Sequence, residues 1–293
     1  DNQIFTISFS IRRRRFYAKI MKKNIQNTGK VVLAGAGPGD PELISLKALK
    51  YLQKADVILT DRLVSPELIE EYASEKAEIV YVGKQCSKGI WTPQKDINNL
   101  MVQFAKQGKL VLRLKGGDAS LFSNILDELQ ILKEHQISYE IIPGVSAAFG
   151  AAAYTGIPLT AREYSRGVRF LTLYDFKFVT LHQWQDWATT EDTLVFYMSG
   201  QKLENITQKL IEFGIEGSKS IAVVQQATTP EQKTQVFSFE EIKTQSLPEF
   251  EFVPTLIIIG NVVNLHHQFA WFEEKKSGNS YFDNHKTSYQ NAI

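Results

Sequence analysis

Four short stretches with residues suited to acid–base chemistry or close ligand approach each follow an apolar run in the first half of the chain. They occupy residues 35–40, 61–66, 83–84 and 116–118. Aspartate and lysine can accept and donate protons, and glycines let the backbone approach a ligand closely. Taken singly, each stretch also fits a helix cap, a solvated surface charge or a plain loop. Taken together, they predict a ligand site with acid–base residues.

The first stretch has the spacing of a glycine-rich turn between a strand and a helix. A dinucleotide-binding fingerprint, Gly-x-Gly-x-x-Gly, would require a third glycine at position 40, where this chain has Asp40. Asp40 could instead cap the following helix, with Pro41 at its first position. The turn alone therefore fits either a ligand site or a structural connection.

The elements that position these stretches alternate between strand and helix. The apolar patterns predict strands at 31–36, 56–60, 78–82, 110–114 and 138–142, with helices at 42–54, 93–106 and 124–135. For the helix at 93–106, Thr92 is the expected cap. Such alternation predicts a parallel sheet covered by helices, in which ligands bind beyond the carboxyl ends of the strands. The four stretches would then share one edge of the sheet.

The second half has closely spaced strands with fewer crossover helices. Strands are predicted near 168–173, 193–197, 219–225, 233–239 and 254–260, and helices near 202–213 and 262–273. The sequence thus divides into an extension (1–28), an N-terminal α/β domain (29–142), a linker segment (143–160), a C-terminal α/β domain (161–274) and a disordered tail (275–293). The close spacing of the strands in the second half predicts that its sheet is mixed.

Composition narrows the function classes. The 293 residues carry 43% hydrophobic and 22% charged side chains and a net charge of +1, which gives no global argument for nucleic acid. The single cysteine, Cys86, excludes a disulfide framework and fits a reducing compartment such as the cytoplasm. No apolar run approaches the roughly 18 residues of a membrane span. The Arg-rich residues 1–28 are either a targeting segment or non-native sequence upstream of Met21.

Collinear motifs extend from about Lys30 to Phe272. They read Val-Leu-Ala-Gly-Ala-Gly-Pro-Gly-Asp-Pro (32–41), Ala-Asp-Val-Ile-Leu-Thr-Asp-Arg-Leu-Val-Ser (55–65), Tyr-Val-Gly-Lys (81–84), Arg-Leu-Lys-Gly-Gly-Asp (113–118), Pro-Gly-Val-Ser-Ala (143–147), Gly-Ile-Pro-Leu-Thr (156–160) and Val-Phe-Tyr-Met (195–198). Through these motifs the chain resembles the tetrapyrrole methylase family. The resemblance implies two α/β domains, the N-terminal one with a largely parallel sheet and helices on both faces and the C-terminal one with a mixed sheet. It also implies S-adenosyl-L-methionine in the cleft between them, a homodimer and no metal.

The resemblance also implies roles for individual residues. Asp61 would accept a proton and Lys84 would donate one. Arg62 and Arg162 would bind carboxylates of a polyanionic substrate, which arginine pairs bidentately. The implied cofactor-contacting residues are Pro38, Gly116, Gly117, Asp118, Leu121, Ser146, Ala147, Met198 and Ala227.

The implied activity is C-methylation of the small-molecule tetrapyrrole uroporphyrinogen III. Two methyl transfers would give precorrin-2 and S-adenosylhomocysteine, for sirohaem or cobalamin biosynthesis, with no nucleic-acid or membrane partner. The chain departs from the family in the loop 119–128, which lacks the usual arginine, at Ala161 in place of histidine and at Ala227 in place of glycine. These departures bear on substrate specificity more than on cofactor binding.

Three other functions remain open from the sequence. The first is another methyltransferase of the same fold, such as a precorrin methyltransferase or a diphthine synthase. The second is a nicotinamide-dependent oxidoreductase, in which Asp61 would bind the ribose. The third is a binding module without catalysis, suggested by the altered loops.

Overall fold

The computed structural model describes residues 28–85, 90–173, 175–274 and 280–283, without the side chains of residues 84, 85, 90 and 91. Nearly all of the predicted extension, Cys86 and most of the predicted tail lie outside the described residues. Within the described part, no helix is long and apolar enough to cross a membrane.

The described strands form two five-stranded sheets and one small hairpin. The first sheet has the strand order β3-β2-β6-β1-β7, the second has β11-β10-β12-β9-β8, and β4 pairs with β5. The strands are β1 (Lys30–Gly35), β2 (Val57–Asp61), β3 (Glu78–Val82), β4 (Lys84–Gln85), β5 (Ile90–Trp91), β6 (Leu110–Lys115), β7 (Ser138–Ile142), β8 (Val168–Thr172), β9 (Thr193–Tyr197), β10 (Ser220–Gln225), β11 (Lys233–Ser238) and β12 (Thr255–Gly260).

The α-helices of the described part connect and cover these strands. They are α1 (Leu46–Leu52), α2 (Pro66–Tyr72), α3 (Gln94–Lys106), α4 (Ile125–Glu134), α5 (Ala147–Thr155), α6 (Leu181–Thr189), α7 (Leu203–Glu212), α8 (Phe239–Thr244) and α9 (His266–Phe269).

The first sheet is parallel throughout, and both of its faces are buried. Its central strands β1, β2 and β6 pair in parallel with their neighbours. Alternate residues of β1 face opposite cores, with Leu33 packing among residues of α3 and α4 and Val32 among residues of α1 and α2. The prediction of a parallel sheet with helices on both faces is confirmed.

The second sheet is mixed, as predicted. Strand β8 runs parallel to β9, whereas β9, β10, β11 and β12 pair antiparallel. One face buries an aromatic-rich core that includes Trp184, Trp187, Phe196 and Phe239. The opposite face packs against α5, the small-residue helix that enters from the linker segment.

The helix predicted at 42–54 is divided in two. Asp40 caps only a single 3-10 turn, Pro41–Leu43, by accepting a hydrogen bond from the Glu42 backbone N–H at 2.8 Å. Ile44 is extended, with ψ of 141°, which interrupts the helical hydrogen bonds. Ser45 then caps α1 through its side-chain oxygen. The chain therefore has two helix caps in this stretch, Asp40 for the 3-10 turn and Ser45 for α1.

Three other boundaries differ from the predictions. Pro93, not Thr92, occupies the position before α3. The helix expected at 262–273 is a 3-10 segment, Asn261–Leu265, followed by the short α9. The unpredicted helix α6 begins with a capping box formed by Thr180 and Gln183.

Residues 280–283 are packed against the body of the protein, unlike the disordered tail that the sequence predicted. Tyr281 and Phe282 are 6% and 2% exposed. Their rings also contact each other edge to face, with centroids 5.2 Å apart. An aromatic pair within a polar, Ser- and Asn-rich stretch supplies the apolar area that this docking requires.

Candidate functional site

A cavity of about 480 Å³ lies between the two large sheets. Four of the nine expected cofactor-contacting residues line it, namely Pro38, Ala147, Met198 and Ala227. The substrate-binding candidate Arg62 lines it as well. Residues from four separate motifs therefore meet at one cavity.

The glycine-rich turn is packed against other turns of the same chain. Gly37 and Gly117 exchange backbone hydrogen bonds of 2.7 and 3.2 Å. A Cβ atom on Gly35 would lie 2.5 Å from the Gly117 carbonyl oxygen and 2.7 Å from the Gly144 Cα. Gly37 also has a φ of +89°, which favours glycine. These contacts explain the glycine spacing without a bound pyrophosphate.

Asp118 connects two of these turns. Its carboxylate accepts hydrogen bonds from the Gly144 backbone N–H at 2.9 Å and from the Ser120 backbone N–H and hydroxyl at 2.8 and 2.5 Å. Burial alone would raise the pKa of Asp118, but these hydrogen bonds hold the pKa below its usual value. Asp118 is therefore an ionised acceptor beside the glycine turn.

The start of α5 is fixed by Tyr197, a residue that the sequence analysis did not single out. The Tyr197 hydroxyl lies 2.6 Å from the Ser146 hydroxyl and accepts a hydrogen bond from the Ala148 backbone N–H at 3.1 Å. Its burial raises the pKa of Tyr197. Met198 follows in the left-handed region, with φ of 53°, and 67% of it is exposed. Tyr197 thereby sets the relative position of Ser146, Ala147 and Met198.

The opposite wall is a turn that follows β10. Gln226 and Thr228 both have positive φ values, 49° and 65°, on either side of Ala227. The Thr228 hydroxyl accepts a hydrogen bond from the Asp40 backbone N–H at 3.0 Å. This bond ties the first glycine turn to the second sheet, so that Pro38 and Ala227 line the cavity together.

Asp61 ends β2 at the carboxyl edge of the first sheet, where the sequence predicted it. Its Oδ1 accepts a hydrogen bond from Arg113 Nη2 at 2.5 Å, and 28% of its side chain is exposed. Arg113 lies on the neighbouring strand β6, and its Nη1 donates to the carbonyl oxygens of Leu59 and Leu114. The buried arginine thus fixes the orientation of a partly exposed carboxylate.

Arg113 also forms an ion pair with Glu128 of α4. Arg113 Nε donates to Glu128 Oε1 at 2.9 Å, and Lys115 Nζ donates to Glu128 Oε2 at 2.8 Å. Glu128 is 0% exposed, and Arg113 and Lys115 are almost completely buried. Burial and the nearby Arg113 charge lower the pKa of Lys115, whereas Asp61 and Glu128 keep the pKa of Arg113 raised despite burial. The cluster therefore contains two cations, Arg113 and Lys115, and two anions, Asp61 and Glu128.

The remaining predicted site residues have different positions. Gly116 packs against Leu63, since a Cβ atom there would lie 2.7 Å from the Leu63 carbonyl oxygen. Leu121 is partly exposed in the loop after Asp118. Arg162 is exposed in a surface turn closed by the Ala161–Ser165 bridge, outside the cavity lining. The structure therefore does not bring Arg162 to the cavity.

The predicted proton donor Lys84 lies in β4, and its side chain is outside the described part of the structure. The preceding Gly83 has a φ of +118°, and a Cβ atom there would lie 3.8 Å from Asp61 Oδ1. The backbone thus brings the 83–84 stretch close to Asp61.

Four residues at the site were not predicted from the sequence, namely Arg113, Lys115, Glu128 and Tyr197. The sequence could have identified Arg113 and Lys115, because they lie two residues apart in an otherwise apolar strand. Side chains at this spacing share one face of the sheet. Two cations on a buried face require anionic partners, but nothing in the sequence pattern identified Glu128 as that partner.

The cavity has the volume of a small-molecule site and a partly apolar lining. Its wall includes Pro38, Val224 and Leu256, which offer apolar surface to a purine ring. Asp118 is not among the lining residues, but its ionised carboxylate lies beside the glycine turns and can accept hydrogen bonds from hydroxyl or ammonium donors. Among the described residues, no group of three or more His, Cys, Asp or Glu side chains could hold a metal ion.

Comparisons with known proteins agree with this geometry. The chain is 42% identical over 252 residues to the uroporphyrinogen-III C-methyltransferase of Bacillus subtilis, covering 84% of this chain and 96% of that protein. It is 42% identical over 256 residues to the siroheme synthase of Saccharophagus degradans, covering 87% of this chain. It spans only 56% of the length of that siroheme synthase.

A solved structure shares the fold as well. The uroporphyrin-III C-methyltransferase of Thermus thermophilus, complexed with S-adenyl homocysteine, superposes with a TM-score of 0.67 at 32% identity. The match covers 81% of this chain and 100% of that one. The sequence profile described as Tetrapyrrole (Corrin/Porphyrin) Methylases matches residues 30–243. With the shared sheets and the motifs that meet at one cavity, these matches show that the chain belongs to the tetrapyrrole methylase family.

Proposed function

We propose that this chain is an S-adenosyl-L-methionine-dependent C-methyltransferase that methylates uroporphyrinogen III twice and gives precorrin-2. The observation that carries the proposal is the meeting of Pro38, Ala147, Met198 and Ala227 at one cavity, with the Asp61–Arg113 pair at the adjacent sheet edge. The near-complete coverage of the Bacillus relative supports the same activity.

The bound S-adenosyl-L-methionine would supply an electrophilic methyl group. The chain would supply orientation, because the cavity is formed by turns that hydrogen bonds hold in fixed positions, and orientation contributes much of the rate. Asp118 would fix the polar end of the methyl donor. The apolar walls would exclude water around the reacting carbon.

Asp61 would accept the proton that the macrocycle loses after methylation. Arg113 contacts Asp61 at Oδ1, and the partial exposure of the Asp61 side chain gives a substrate access to the carboxylate. A positioned general base contributes roughly 10²–10⁴-fold to a rate. Lys84 stays the predicted proton donor.

Arg62 is the stronger of the two predicted substrate-binding arginines, because it lines the cavity and follows Asp61 directly. Its guanidinium would pair an acidic side chain of the tetrapyrrole. Arg162 would bind the substrate only if a carboxylate reached beyond the cavity lining.

The direct test is incubation with uroporphyrinogen III and S-adenosyl-L-methionine, followed by mass analysis. Two added methyl groups and two equivalents of S-adenosylhomocysteine are expected. Methylation of a precorrin but not of uroporphyrinogen III would replace the proposal with a different member of the family. Absence of transfer to any tetrapyrrole, despite S-adenosylhomocysteine binding, would favour a binding module.

The homodimer and the cytoplasmic location also stay proposals, supported by the family resemblance. Sedimentation analysis of the purified chain should give twice the monomer mass of 33.2 kDa. A monomeric mass at all concentrations would contradict the proposed dimer.

A further inference from the structure

Residues 280–283, here called the C-terminal strap, contribute to the same cavity. Phe282 is among the residues that line it, although some 50 residues separate it from Ala227, the nearest predicted cofactor residue in sequence. We propose that the C-terminal strap completes the methyl-donor site, with Phe282 as a binding residue and Tyr281 as its anchor. The inference deepens the proposed function and rests on it.

Tyr281 attaches the C-terminal strap to both walls of the cavity. Its hydroxyl lies 2.7 Å from the hydroxyl of Ser65, the cap of α2, and both atoms are buried. Its backbone N–H donates to Gln226 Oε1 at 2.7 Å, again in a buried position. Ser65 follows the Asp61–Arg62 turn, and Gln226 immediately precedes Ala227. The anchor therefore joins the catalytic edge of the first sheet to the cofactor turn of the second.

The buried hydroxyl of Tyr281 stabilises the position of the C-terminal strap. Burial raises the pKa of Tyr281 to about 12, which agrees with a hydroxyl held away from water. A buried hydroxyl pair is costly to separate, because each group would lose its partner without gaining water. Both anchors thus favour one fixed position for the adjacent Phe282.

Phe282 forms a wall of the cavity and does not fill it. With Phe282 in place, the cavity measures about 480 Å³, inside the range of roughly 300–1,000 Å³ that small-molecule sites occupy. Phe282 is 2% exposed and lines the cavity together with Pro38 and Ala227. Phe282 would therefore support the apolar wall that Pro38 and Ala227 present to the adenosyl group, and contact the ligand through the small part of its surface that faces the cavity.

The test is calorimetric titration of the chain with S-adenosylhomocysteine. Phe282→Ala should weaken binding roughly tenfold, the size of a lost aromatic contact. Tyr281→Phe keeps the ring but removes the hydroxyl anchor, and should weaken binding by roughly threefold. Deletion of 276–293 should weaken binding at least as much as Phe282→Ala. A matched deletion of 284–293, which retains both strap residues, should leave affinity unchanged.

The outcomes separate the inference from the proposed function. Wild-type affinity in both folded strap variants and in the longer deletion would overturn the inference while leaving the proposed function intact. Tighter binding after the longer deletion would also overturn it, because the strap would then compete with the ligand. Failure of the unaltered chain to bind S-adenosylhomocysteine would overturn the proposed function and the inference together. Near-UV circular dichroism of each variant checks that it is folded.

Discussion

The Asp61 carboxylate combines a fixed position with access from the cleft. Arg113, itself held by two carbonyl oxygens and by Glu128, contacts Asp61 Oδ1 at 2.5 Å. A rotating carboxylate would lose orientation, and a fully buried one could not reach a substrate. The arrangement therefore suits a positioned base better than a helix cap, and the side chain of Asp61 is not the cap of α2, which is Ser65.

Asp61→Asn should lower the turnover of uroporphyrinogen III by roughly 10²-fold or more, because it removes the basic carboxylate and keeps the shape. The affinity for S-adenosylhomocysteine should not change. Single-turnover kinetics at saturating substrate isolates the methyl-transfer step, and Glu71→Gln, an exposed acid on α2, is the control. A wild-type single-turnover rate in Asp61→Asn would exclude Asp61 as the base.

Asp118→Asn should weaken S-adenosylhomocysteine binding by about 1.5–3 kcal/mol, the range for hydrogen bonds to charged groups. The asparagine can still accept the Gly144 N–H bond, so the loops should stay connected. Calorimetry measures the affinity, with Asp127→Asn, an exposed acid in α4, as the control. If a folded Asp118→Asn variant bound as tightly as the wild type, Asp118 would only fasten the loops.

At the scale of elements, strands β2 and β6 and helix α4 are joined by buried charges. Arg113 and Lys115 on β6 face Glu128 on α4 and Asp61 on β2. Removing one member of a buried pair leaves an uncompensated charge, which costs far more than losing a surface ion pair. The network thus places α4 against the sheet edge that bears Asp61.

Glu128→Gln should reduce the free energy of unfolding by about 3–5 kcal/mol, since two buried cations would then face one anion. Urea denaturation measures the loss, and the exposed neighbour Asp127→Asn is again the matched control. Because Glu128 positions Arg113, turnover in the remaining folded protein should also fall. Equal unfolding midpoints for Glu128→Gln and the control would show that the buried charges contribute no net stability.

At the scale of the whole molecule, the cavity is shared between two sheets. Ala147 enters from the linker segment, Pro38 from the first sheet, and Ala227 and Met198 from the second. A ligand that contacts all of them should bind only the assembled protein and so stabilise both sheets together.

S-adenosylhomocysteine at 100 times its dissociation constant should stabilise the folded chain by about 2.7 kcal/mol. For a chain of this size the melting temperature should rise by roughly 5 °C or more. Differential scanning calorimetry would record the shift, with NAD at the same concentration as the comparison. A shift with NAD and none with S-adenosylhomocysteine would favour the oxidoreductase alternative over methyl transfer.

The amino-acid sequence by itself determined the two sheets and the edge that carries the site. Apolar runs such as Val31–Ala34 are buried at 0% exposure on both faces of β1, and this local pattern alone predicts a covered parallel strand. Asp61 follows such a run, so its place at the carboxyl edge was predictable. The family resemblance, and no local pattern, identified Pro38, Ala147 and Met198. The structure places all three in the cavity lining, and their contacts with a cofactor stay a prediction.

Only the tertiary structure decided which side chains are partners. Glu128 and Arg113 are on different elements, and Tyr197 and Ser146 are about 50 residues apart, so no local period relates them. Arg162 has the charge of a substrate-binding residue but lies outside the cavity lining. Tyr281 and Phe282 lie in a polar stretch without any core pattern, yet both are buried. Local pattern reports which residues can be buried, whereas pairing depends on how distant segments pack, and that packing appears only in the folded chain.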